Sequence, residues 1–225
     1  MIKEFWADKK KITLYGIENN NIPIVYLNTV MNEGEKVFNA CKLLNCPPFI
    51  LAAISNLDWD CDMSPWAIPP ISKNDTPCSG GANAFLKLLT DTIIPNVNSL
   101  INGKAAYNAI AGYSLAGLFA LYSLYKTTVF TKAATTSGSL WFPEFTEFAL
   151  NNDLAIIPNC LYFSLGDTEA KTKNSVLQTV EKNTRILEAH YCANGIKTVY
   201  VSNKGNHFQN TIPRMADGIK WILEN

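Results

Sequence analysis

The sequence predicts an α/β fold: a mostly parallel central sheet with helices on both faces and no large lid domain. Three observations predict it. Segments of strand and helix character alternate along the chain, several strand segments are apolar throughout, and 48% of the 225 residues are hydrophobic. Continuously apolar strands are what a sheet covered on both faces requires, and strand–helix alternation is what parallel crossovers require. The length suits one large domain over residues 1–225, which can bury roughly 70–75% of its unfolded surface without a metal or disulfide staple.

The elements follow in order. Ile12–Ile17 and Ile22–Leu27 read as strands joined by the turn Asn19-Asn20-Asn21. Glu35–Leu44 reads as a helix with Val37, Ala40, Cys41 and Leu44 on one face, and Phe49–Ile54 as a buried strand. Asp58–Pro77 reads as loop, carrying Trp59, Trp66 and Pro69-Pro70, and Ala82 to Ile94 as a helix interrupted near Pro95. Residues 105–125 are almost long and apolar enough for a membrane span. Asn108, Ser114 and Ser123 interrupt them, and Gly112 and Gly117 flank the middle serine, so a strand Tyr107–Ala111 running into a helix Leu115–Tyr125 fits better. Ala133–Thr136 is a strand, and Pro143–Leu150 a short helix with proline in its first turn. Leu161–Leu165 is a strand, and Ser175–Ala193 a helix that stops at Asn194-Gly195. Ile196–Val201 is the last strand and Arg214–Leu223 a closing amphipathic helix.

Nineteen basic residues balance nineteen acidic ones, which argues against nucleic acid or an anionic membrane as the main partner. The 17% charged and 11% aromatic content excludes a disordered chain. Six cysteines stand at 41, 46, 61, 78, 160 and 192, with no Cys-x-x-Cys pair and no histidine near enough for a zinc pattern. No secretory leader is read at Met1-Ile2-Lys3-Glu4-Phe5, and the expectation is a cytoplasmic protein with reduced cysteines, Cys61 and Cys78 exposed in their polar stretch. No histidine cluster, P-loop or G-x-G-x-x-G calls for a metal or cofactor.

The chemistry centres on Gly112-Tyr113-Ser114-Leu115-Ala116-Gly117, where a strand gives way to a helix. A serine on so sharp a turn is held in strained geometry with its hydroxyl above the sheet, and small neighbours let strand and helix approach. A serine there also suits a helix N-cap, but its place between buried elements favours a nucleophile. The Leu115 N–H, at the helix N-terminus, points where an oxyanion would develop. Serine needs a base. Of two histidines, His190 lies within a helix, whereas His207 lies in the loop Gly205-Asn206-His207-Phe208 after the last strand, where open α/β sheets keep their sites. The acid should fall between them in the chain. Gly166-Asp167-Thr168-Glu169 offers two carboxylates, Asp167 and Glu169, and spacing alone does not choose.

GYSLAGLFALY, LYFSLGDTEAKTKN and NKGNHFQN, with IPIVYLN and SNLDWDCDMSPW, resemble the esterase branch of the α/β-hydrolases over nearly the whole chain. That branch includes esterase D-like, feruloyl-esterase-like, siderophore-esterase-like and mycolyltransferase-like proteins. The resemblance implies that the acid sits three residues past its glycine, which favours Glu169 over Asp167, although some siderophore esterases of the branch use a serine–histidine dyad. It implies a second oxyanion donor at the end of an early strand; here that stretch reads Asn28-Thr29-Val30, so Val30 N–H takes the role, with Thr29 in place of the usual glycine. Without a lid, loops must bind substrate, and Trp59, Met63 and Trp66 are candidates to wall an apolar acyl or aryl pocket.

The expected activity is therefore serine ester hydrolysis of a small-molecule substrate. Acyl transfer through the same acyl-enzyme, or a silent hydrolase fold used for binding, are the alternatives.

Overall fold

The structure, a computed structural model, describes residues 2–73 and 75–225. The strands are β1 (Ile2–Ala7), β2 (Lys10–Tyr15), β3 (Ile24–Asn28), β4 (Ile50–Ser55), β5 (Ala67–Ile68), β6 (Cys78–Ser79), β7 (Asn108–Tyr113), β8 (Lys132–Thr136), β9 (Cys160–Gly166) and β10 (Lys197–Asn203). The helices are α1 (Gly34–Leu43), α2 (Trp59–Asp62), α3 (Ala82–Leu88), α4 (Ile94–Leu100), α5 (Leu115–Ser123), α6 (Phe145–Asn151), α7 (Val180–Ala193) and α8 (Thr211–Glu224). Eight strands form one sheet in the order β1-β2-β4-β3-β7-β8-β9-β10. β2 is antiparallel to both its neighbours, and from β4 to β10 every pair is parallel. This is the α/β-hydrolase architecture the sequence predicts.

Both faces of the sheet are covered, and the apolar strands divide their side chains between them. Ile24, Tyr26, Ile110, Leu161 and Phe163 face the core beneath α3 to α7. Their neighbours Val25, Leu27, Ala109, Ala111 and Tyr162 face the core beneath α1 and α8. At ~25 cal/mol per Å² of apolar surface removed from water, these two layers supply the main driving force for folding. Helix α5 is the most enclosed: all nine of its residues are buried, which accounts for its membrane-like composition. Among the described residues no helix is long and apolar enough to cross a membrane.

Four expectations need correcting. The edge strand β1 was not expected; its Lys3 and Glu4 sit on a strand exposed along one side, where charge is tolerated and discourages edge pairing. The stretch 58–77 is not all loop, for it contains the helical turn α2 and strand β5, which pairs with β6 as a small separate sheet. That sheet buries Cys78, while Cys61 is half-buried, so neither is an exposed thiol. Pro95 does not interrupt its helix: a π turn at Leu89–Ile93 precedes it, and the helical path continues to Leu100. The wide turn removes the clash between a proline ring and the carbonyl four residues back.

Candidate active site

The C-terminal ends of the parallel strands deliver the candidate residues to one edge of the sheet. Ser114 occupies the turn between β7 and α5 with φ 59° and ψ −126°, a left-handed conformation costly for a side chain. Packing holds it there: a Cβ on Gly112 would run into the Ala116 carbonyl, so strand and helix meet this closely only because residue 112 has no side chain.

Ser114 Oγ lies 3.0 Å from His207 Nε2, and His207 Nδ1 lies 2.8 Å from Glu169 Oε2. A carboxylate only accepts, so Nδ1 carries the hydrogen, leaving Nε2 of the neutral ring to accept from the serine hydroxyl. Glu169 Oε1 accepts from Gly166 N–H at 2.6 Å, from the Ser137 hydroxyl at 2.8 Å and from Arg214 Nη1 at 3.2 Å. Burial pushes the Glu169 carboxyl up. The hydrogen bond and charge of His207, with the Gly166 and Ser137 donors, outweigh it and hold the group below its ordinary 4.5.

Asp167 does something different. Its Oδ1 accepts from Gly205 N–H at 2.8 Å, and its own N–H donates to the Asn203 carbonyl at 2.8 Å, so it ties the loop after β9 to the loop carrying His207. Arg214, with its side chain 2% exposed, clamps that histidine loop. Its Nη1 donates to the Asn206 carbonyl and its Nη2 to the Lys204 carbonyl, each at 3.0 Å. The Tyr113 hydroxyl donates to the His207 carbonyl at 2.6 Å.

Ser137 and Ser139 were not singled out in the sequence. They flank Gly138 just past β8, and they reach opposite ends of the chain of contacts: Ser137 touches Glu169, and Ser139 Oγ lies 3.2 Å from Ser114 Oγ. The available signal was small polar residues around a glycine at a strand's C-terminal end, the position where such sheets place sites. Arg214 left no signal, because its partners come from four other segments.

A cavity of about 680 Å³ opens above Ser114 and His207. Trp59, Ile71, Trp141, Leu177, Val180 and Phe208 give it apolar walls, and Asp60, Asp75 and Lys171 also line it. Leu115, expected as an oxyanion donor, lies in its lining, and of the three residues expected in its wall only Trp59 does. Met63 is fully buried in the core. Trp66 packs among Tyr122, Phe142, Phe145 and Phe148 and donates its indole N–H to the Pro143 carbonyl, so it supports the wall from behind. Val30 is exposed, two residues past the end of β3 at Asn28, and does not line the cavity. Thr29 spends both its N–H and its hydroxyl on the Ile54 carbonyl, each at 2.9 Å. Among the described residues no three His, Cys, Asp or Glu side chains are grouped to hold a metal ion.

Comparison with known proteins agrees with the fold and places the chain in a family. A family described as "Putative esterase" matches residues 19–208. The uncharacterized protein YbbA of Bacillus subtilis is 23% identical over 196 residues, 82% of this chain and 78% of that protein. Among solved structures, the siderophore hydrolase EstA from Aspergillus nidulans superposes with a TM-score of 0.74 at 17% identity, covering 100% of this chain and 94% of its own. An IroE-like serine hydrolase from Shewanella oneidensis superposes with a TM-score of 0.76 at 19% identity, covering 100% and 80%.

Proposed function

The chain belongs to this esterase family, and we propose that it acts as a single catalytic domain that hydrolyses carboxylic esters through an acyl-enzyme on Ser114. The observation that carries the reading is the contact line from Ser114 Oγ through His207 to Glu169, at 3.0 and 2.8 Å. His207 Nε2 takes the serine proton as Oγ attacks the ester carbonyl, and Glu169 holds the ring in the right tautomer and stabilises its cation. Leu115 N–H, in the first turn of α5 where helix geometry leaves amides without intrahelical partners, receives the oxyanion. Val30 N–H is the second donor, a role supported by the resemblance of the Asn28-Thr29-Val30 stretch to the oxyanion segment of the family. The histidine then returns its proton to the departing alcohol and activates water, which releases the acid.

The apolar, aromatic walls of the cavity favour a small-molecule ester with a bulky acyl or aryl group. Likeness to a siderophore hydrolase adds siderophore-type esters to the substrates worth assaying. Six unbridged cysteines support a cytoplasmic setting. The test is direct: a fluorophosphonate probe should label Ser114, and Ser114→Ala should lose both the label and hydrolysis of p-nitrophenyl esters. Hydrolysis that survives in that variant would refute the assignment.

A further inference from the structure

The contact between Ser139 and Ser114 falls on the oxygen whose bonds the proposed reaction makes and breaks. Donor and acceptor in it are fixed by what surrounds it. Ser114 directs its one hydrogen at His207 Nε2, which has a lone pair to receive it. Ser139 must therefore be the donor, and Ser114 Oγ the acceptor. Packing holds Ser139 in place, for the residue is 1% exposed and its N–H donates to the Ser114 carbonyl at 3.0 Å. A Cβ on Gly138 would collide with Thr135 Oγ1, so the turn that brings Ser139 to the nucleophile depends on that glycine.

The two halves of the reaction use this hydrogen bond differently. In the free enzyme the bond to Oγ already exists, and it persists while Oγ attacks. Oγ also gains negative charge as it attacks, through the same kind of transition state by which it later leaves, so acylation gains as well. It does so from a ground state in which the bond is already strong, and only the difference accelerates a step. In the acyl-enzyme Oγ is the bridging oxygen of an ester, a weak acceptor. When the second tetrahedral intermediate collapses, Oγ takes the bonding pair and becomes alkoxide-like, and a donor to a charged oxygen is about twice as strong as one to a neutral oxygen.

We propose that Ser139 is a catalytic residue of deacylation, donating a hydrogen bond to Ser114 Oγ as that oxygen leaves the acyl group. The step balances without another reactant. Water bonds to the acyl carbon and gives a proton to His207 Nε2; the carbon–Oγ bond breaks toward Oγ; His207 passes the proton on to Oγ; Ser139 keeps its own hydrogen. The proposal rests on the acyl-enzyme reading above, and the experiment separates the two.

Wild type, Ser139→Ala and Ser139→Thr are mixed with p-nitrophenyl acetate, and the p-nitrophenol burst is followed alongside decay of the acetylated chain by intact mass. In Ser139→Ala the acyl-enzyme should decay about tenfold more slowly, equivalent to ~1.4 kcal/mol. The values of kcat and KM should both fall, and kcat/KM, which reports acylation, should fall by a clearly smaller factor than kcat. Ser139→Thr should restore the decay. Decay at the wild-type rate, or a fall in kcat/KM as large as that in kcat, overturns the role. If the alanine variant does not fold, Ser139→Cys, similar in shape but a weak donor, carries the same comparison. Absence of any adduct on wild-type Ser114 would instead overturn the acyl-enzyme reading itself.

Discussion

Glu169 gives one oxygen to His207 and the other to Gly166, Ser137 and Arg214, so it is both an orienting group and a buried charge. Its carboxyl is held below 4.5, and this fixes the sign of its pH linkage. A lowered folded-state value means a contribution to stability that is complete above the ordinary value and lost as pH falls through the lowered one. Glu169→Gln should therefore be less stable than wild type at pH 7 and converge with it in acid, read as urea midpoints across the pH range. An unchanged gap in acid would show that charge is not what the variant lost. The same variant offers an N–H to His207 Nδ1 and favours the wrong tautomer, so kcat should fall on the order of a hundredfold or more. Arg214 is tested separately. Arg214→Met leaves Glu169 without its buried cation and frees the carbonyls of Lys204 and Asn206, and should cost about 3–5 kcal/mol in urea unfolding. A cost below about 1 kcal/mol would place the pair among contacts that contribute little.

The elbow between β7 and α5 works as a unit because Gly112 and Ala116 touch through their backbones. Gly112→Ala would drive a methyl into the Ala116 carbonyl, and backbone cannot step aside as a side chain can. Gly117→Ala meets Thr135 Oγ1 at 2.9 Å and Gly138 Cα at 3.0 Å, a tight but softer fit. Gly112→Ala should thus cost about 3 kcal/mol or more and abolish labelling of Ser114, with Gly117→Ala clearly milder. Equal costs in thermal melts would mean that the elbow is not the constraint. This motif was legible because its chemistry is local: a strained serine needs its small neighbours within a few residues. The buried strands β3, β4, β7, β8 and β9 were legible too, since a sheet covered on both faces leaves an apolar run. The short pair β5–β6 has two residues a strand and no periodicity to read. The charged edge β1 shows too little apolar alternation to read as a strand. The π turn before Pro95 was also hidden, because proline marks a conflict without saying how the chain resolves it.

Across the whole molecule, the site exists only where loops after β7, β8, β9 and β10 converge. Ser114 and His207 could be named from the sequence, whereas the partners of Ser137, Ser139 and Arg214 depend on which strands become neighbours. The same division separates a rigid base from a less secure roof. The eight-stranded sheet shares two cores, but β5–β6 is a two-stranded ribbon over the cavity, and such ribbons are marginal alone. Two buried thiols report on the two parts. Cys160 lies in β9 with no exposed surface, and Cys78 in β6 is 7% exposed. Burial raises both thiols, with Asp60 and Asp75 helping to push Cys78 up to about 11, so neither should react while its surroundings stay closed. Alkylation then measures opening. Cys78 should react through local release of the ribbon, at a rate almost independent of urea well below the unfolding midpoint. Cys160 should react more than about a hundredfold more slowly, with a steep urea dependence matching global unfolding. Mass-spectrometric mapping of iodoacetamide adducts over a urea series distinguishes the cases. Equal slopes for the two cysteines would show that the roof of the cavity opens only when the sheet does, and would make the wall around Trp59 part of the same cooperative unit.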